Sequence, residues 1–84
     1  MKELDAKQQL MVITMEECAE LQMVCSKILR QGTAVHMQKE LVEELGDVYC
    51  MIQLMQQWDM VSWEDIDNRV QEKLKKLEKW SDLI

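Results

Sequence analysis

Apolar residues recur at spacings of three, four and seven along one face of the segment from Leu10 to Ile28: Leu10, Ile13, Leu21, Val24 and Ile28. That period is helical, because residues three and four apart stack on one side of an α-helix, whereas a strand demands alternation. Leu41, Leu45, Val48, Ile52 and Met55 form a second such stripe, and Ile66, Val70, Leu74 and Leu77 a third. No proline interrupts them. Three amphipathic stripes with short breaks between them predict an all-α fold.

The first helix is expected from about Glu3 to Gln31, with Gly32 placed to end it as a C-terminal cap. Thr33 is placed to cap a second helix, which reaches about Trp58 and contains Gly46. A glycine inside a helix costs about 1 kcal/mol relative to alanine, and its missing side chain admits close approach of another helix. Ser62 is a good N-cap, with Glu64 and Asp65 in the first turn, where the helix dipole favours acids. The third helix runs to about Trp80. Short connections make a three-helix antiparallel unit, and two such units together complete a four-helix-bundle-like assembly.

Eighty-four residues hold one domain at most and bury a limited core. The 48% apolar content and eight methionines are generous for a small monomer, so the expectation is a homodimer or a dimer of dimers. A formal net charge of −6 argues against a nucleic-acid partner, which needs a basic face. No apolar run approaches the roughly 20 residues of a membrane span. The segment "MKELDAKQQL" lacks the apolar centre of a signal peptide, and the expected location is cytoplasmic. Cys18, Cys25 and Cys50 are odd in number and form no CxxC. Cys18 and Cys25 stand two turns apart on one helix, too far to bridge. Free thiols in a reducing compartment are expected.

Acids stand where apolar residues belong. On a helical wheel Glu17 falls in the middle of the first stripe, Glu20 on its edge and Glu16 further round. On the second helix Glu44 lies beside the methionines and Asp47 a little outside them. An ionised carboxylate in an apolar interface costs several kcal/mol unless it is neutralised, paired or bound to a metal. Glu17/Glu20 and Glu44/Asp47 are both i, i+3 pairs, whose side chains project together. Two facing helices would assemble four carboxylates around one point. An all-oxygen acidic site selects a hard divalent ion, Mg²⁺ or Mn²⁺, over zinc. The only histidine, His36, has Thr33 rather than a glutamate three residues before it, which excludes the Glu-x-x-His motif of di-iron bundles. Mg²⁺ on carboxylates engages phosphates, so the residues point to phosphoryl chemistry on a nucleotide or related ester.

Glu16-Glu17-x-x-Glu20, followed after residues 21–43 by Glu44-x-x-Asp47, resembles the EExxE…ExxD pattern of the MazG-like nucleoside triphosphate pyrophosphohydrolases. "ECAELQMVCSKILRQG" is also similar to short members of that family, and the likeness covers about residues 8 to 80. It implies one helical domain over residues 1–84 that splits a (deoxy)nucleoside triphosphate into monophosphate and pyrophosphate. It further implies Glu17, Glu20, Glu44 and Asp47 as Mg²⁺ ligands, with Glu16 and Glu17 catalytic, Glu16 as an accessory acid that orients water or supports a second ion. By the same likeness Lys27, Arg30, Lys73 and Lys76 contact phosphates. Larger members carry further helices around the base, which this chain would have to obtain from a partner subunit. The other reading is a non-catalytic oligomeric interaction module whose acids hold a structural ion or form salt bridges. A coiled-coil scaffold fits poorly, because glutamates break its seams. Trp58, Trp63 and Trp80 are expected to pack or to meet a partner subunit, Tyr49 to pack, and His36 to lie at the surface or in a cap.

Overall fold

The computed structural model describes residues 3–32 and 35–84, with Val35 described for its backbone alone. It contains α1 (Ala6–Gln31), α2 (Val35–Gln57) and α3 (Trp63–Trp80). No strand occurs among the described residues, and the fold is all-α as the stripes require. Contacts divide the chain into two compact units, Met1–Gln53 and Leu54–Ile84.

In the first unit α1 begins at Ala6, three residues later than the expected start near Glu3. Asp5 stops it locally. Its carboxylate accepts the Gln8 N–H at 2.8 Å, and the Gln8 side chain accepts the Asp5 N–H at 3.0 Å. This reciprocal box satisfies two donors that a helix start leaves open. The other end is as expected. Gly32 adopts φ +82°, which only glycine takes without strain, and donates its N–H to the Ile28 carbonyl at 2.8 Å. The capping role expected of Thr33 lies outside the described residues.

The helices α1 and α2 form an antiparallel hairpin. Lys27 meets Glu40, Glu20 meets Glu44 and Glu17 meets Asp47, so one sequence rises as the other falls. Leu10, Val24 and Met37 are buried. Leu21, Ile28, Leu41, Val48 and Ile52 are half-buried. Ile13 and Leu45, expected inside, are 40% and 48% exposed, because a two-helix hairpin covers only part of each stripe. Gly46 meets nothing within 4 Å of where a Cβ would stand, so the expected close approach is not made among the described residues. Met37, at 2% exposure, is the most enclosed side chain. Met37→Ala is expected to cost about 2–4 kcal/mol through lost transfer energy and the cavity left behind, measurable by urea unfolding.

The second unit takes the last turn of α2, which ends at Gln57. Asp59 donates to the Gln56 carbonyl at 3.0 Å and Met60 to the Met55 carbonyl at 2.9 Å. Those two bonds make a Schellman motif, which needs a left-handed residue at its corner. Asp59 supplies it at φ +56°. An L-residue is strained there, so Asp59→Gly is expected to raise stability by up to about 1 kcal/mol in thermal melts. Ser62 then caps α3 by accepting the Asp65 N–H at 3.1 Å. The helix closes at Trp80, where Ser81 donates to the Leu77 carbonyl through both its N–H and its hydroxyl. Ile66 and Leu77 are half-buried, whereas Val70 and Leu74 are exposed.

All three cysteines are free thiols at the surface, and His36 is exposed. Tyr49 is exposed where packing was expected, Trp58 and Trp80 are exposed, and Trp63 is half-buried. Among the described residues no helix is long and apolar enough to cross a membrane.

Candidate metal centre

The hairpin register converts two i, i+3 pairs into one cluster. Glu17 and Glu20 project from α1, Glu44 and Asp47 from α2, and one carboxylate oxygen of each lies within 4.8 Å of the other three. Glu17 and Glu44 are half-buried, while Glu20 and Asp47 are exposed. Oε2 of Glu17 and Oε2 of Glu44 are buried without a hydrogen-bond partner. Buried acceptors in a folded protein normally find a donor or a cation. Oxygens on opposite sides of one Mg²⁺ ion stand about 4.2 Å apart. The cluster is therefore close to the size such an ion needs.

The electrostatics agree with that need. Burial raises the Glu17 carboxyl above the ordinary glutamate value, and the charges of Glu20, Asp47 and Glu44 raise it further. Glu44 is raised for the same first reason, then by its neighbour Glu20 and by Asp47 and Glu43. A proton relieves the repulsion when taken up at either site, donated from Glu17 to Asp47 or from Glu44 to Glu20. A divalent cation would relieve all four charges at once. The donor set is hard oxygen throughout, which fits Mg²⁺ or Mn²⁺.

A groove of about 210 Å³ adjoins the cluster, walled by Glu20, Met23, Val24, Lys27, Glu40, Glu43 and Glu44. All seven belong to the first unit. Lys27 is the one cation among these walls, and its Nζ stands 3.7 Å from Oε2 of Glu40.

Residues 5–81 match the family model of the MazG nucleotide pyrophosphohydrolase domain. The chain belongs to the MazG family. No curated protein and no solved structure matches it.

In this MazG chain the matched span includes the four clustered acids and every residue assigned a role by resemblance. Within the first unit these residues are not all in the cluster. Glu16 is exposed and stands outside the group of four. Lys27 lines the groove beside Glu20 and Glu44. Arg30 is exposed and turns back on its own helix, its Nε donating to the Ser26 carbonyl at 3.3 Å. Arg30 lies in the last turn of α1, where a cation suits the helix dipole. Lys73 and Lys76 are exposed on α3, in the second unit.

Glu40 and Glu43 escaped the sequence reading. For Glu40 the signal was present, since it stands four residues before Glu44 and thus on the same face of α2. It lacks a place in the EExxE…ExxD pattern, and only the hairpin shows that it meets Lys27.

Proposed function

We propose that this MazG domain is a Mg²⁺-dependent pyrophosphohydrolase that converts a (deoxy)nucleoside triphosphate into monophosphate and pyrophosphate. The observation that carries this reading is the convergence of four carboxylate oxygens, two of the residues holding a buried orphan oxygen, inside a family of nucleotide pyrophosphohydrolases. Glu17, Glu20, Glu44 and Asp47 would hold the ion, and Mn²⁺ would suit the same oxygens. When bound, the ion supplies positive charge to the phosphate oxygens as negative charge shifts during in-line displacement.

The remaining roles fall to the chain's own side chains. Glu16, exposed beside Glu17, orients the attacking water and accepts its proton, while Glu17 holds that water against the cluster. The Lys27 ammonium binds a phosphate oxygen in the groove. Arg30, Lys73 and Lys76 add further phosphate contacts once substrate is present.

A nucleotide needs more room than the groove beside the cluster offers. Ligand sites commonly enclose about 300–1,000 Å³, against about 210 Å³ here. Ile13, Met15, Met23, Val42 and Leu45 leave apolar surface uncovered on the first unit. A second copy, in a homodimer or dimer of dimers, covers such surface and completes the base pocket. In this reading residues 1–84 act as a single cytoplasmic domain, with no nucleic-acid or membrane partner.

The deciding assay is pyrophosphate release from a panel of ribo- and deoxyribonucleoside triphosphates with Mg²⁺, alongside sedimentation equilibrium. Turnover of at least one nucleotide and a mass above the monomer are expected. No turnover, with a melting temperature unchanged by Mg²⁺, sinks both the enzyme and the metal site. Stabilisation by Mg²⁺ without turnover of any nucleotide would instead favour an interaction module with a structural ion.

A further inference from the structure

The geometry points to Glu40 as a positioning residue that keeps the Lys27 ammonium away from the metal carboxylates. The inference rests on the reading that Glu17, Glu20, Glu44 and Asp47 hold a divalent cation. A lysine beside such a cluster is a liability as well as an asset. Its flexible stem and point charge can settle on any carboxylate in reach, and a settled ammonium neutralises a ligand that the ion requires.

Lys27 shares one groove with Glu20, Glu40, Glu43 and Glu44. Glu40 and Glu44 stand one turn apart on α2, about 6 Å along the axis. The ammonium therefore has three acids of that helix along its groove, the proposed ligand Glu44 and two that are not ligands, Glu40 and Glu43. It stands 3.7 Å from Oε2 of Glu40, and both side chains are about two-fifths exposed. That Oε2 is itself buried and accepts no hydrogen bond, so the Lys27 charge is what compensates it. The separation exceeds a hydrogen bond. Lys27 is thus held by charge alone, with its N–H donors left for a phosphate.

Without Glu40, the acids of α2 left in the groove are Glu43 and Glu44, and an ammonium that settles on Glu44 occupies a proposed ligand. Lys27 then competes with the ion. Glu40 acts through Lys27 in this account, and the two substitutions must be coupled.

The test is a double-mutant cycle on the full chain, read by calorimetric Mg²⁺ binding without nucleotide. Glu40→Ala and Glu40→Gln are each made in the wild-type and Lys27→Met backgrounds, with circular dichroism to confirm folding. In the wild-type background either change should weaken Mg²⁺ binding about fivefold or more, the scale of coupling between contacting residues. In the Lys27→Met background the same change should cost about twofold or less. Equal losses in the two backgrounds would show Glu40 acting on the ion directly and overturn the inference, as would no loss in either. Absence of Mg²⁺ binding by the wild-type chain would remove the metal site itself, and the inference with it. Equal losses leave that site standing.

Discussion

Glu17→Gln is expected to reduce pyrophosphate release by about 100-fold or more while making the metal-free protein more stable. The two effects have one cause. Glu17 combines burial with the company of three other carboxylates, and its Oε2 has no donor to receive. An amide keeps the shape and removes the charge, so the metal-free hairpin loses a repulsion. The same change removes one of the four proposed anionic ligands from the ion. Disturbing even an outer partner of a metal site typically costs 10–100-fold in affinity or activity, and a ligand should cost no less. Melting curves with and without Mg²⁺, together with the pyrophosphate assay, check both halves. Glu16→Gln separates the roles. It is expected to lower kcat yet leave Mg²⁺ binding unchanged, because Glu16 is exposed and outside the cluster. A Glu17→Gln protein that melts lower than wild type without metal would contradict the account of the cluster.

The second large effect is a pH dependence that Mg²⁺ reverses. Glu17 and Glu44 both have carboxyls raised in the folded state, by burial first and by neighbouring acids next. The folded protein therefore binds protons more tightly than the unfolded chain at these two positions. Their contribution to stability is fully present below the unfolded value, near pH 4.5, and is lost as pH rises through the raised folded values. Metal-free wild type should thus lose melting temperature between about pH 4.5 and neutrality relative to Glu17→Gln/Glu44→Gln. Mg²⁺ binds the deprotonated acids, so its stabilisation of wild type should grow over that same interval. The double variant should show neither trend. A wild-type minus variant difference that stays flat with pH would contradict the raised carboxyls.

Much of this is legible in the sequence. The three stripes announced three helices, and Gly32 and Ser62 marked an end and a start that the structure keeps. The four acids stood out because they occupy positions that the apolar period reserves for leucine. Two helix limits fall inside the expected ones, by three residues at the start of α1 and by one at the end of α2, for local reasons. The Asp5–Gln8 box holds α1 back to Ala6, since a short-range cap outweighs a polar extension of the helix. Asp59 closes α2 one residue early by taking a left-handed conformation that its residue type tolerates without advertising.

What the sequence determined by itself was periodic and local: helix type, the face each acid occupies, and the pairing of Glu17 with Glu20 and of Glu44 with Asp47 along each helix. Those relations depend on 3.6 residues per turn and need no partner. The register between α1 and α2 was decided only by the tertiary structure. Packing around Leu10, Val24 and Met37 and the turn at Gly32 set Glu17 against Asp47, Glu20 against Glu44 and Lys27 against Glu40. Burial of single oxygens was decided there too. A helical wheel assigns a direction to a side chain, but whether water reaches its last atom depends on what a distant segment places over it.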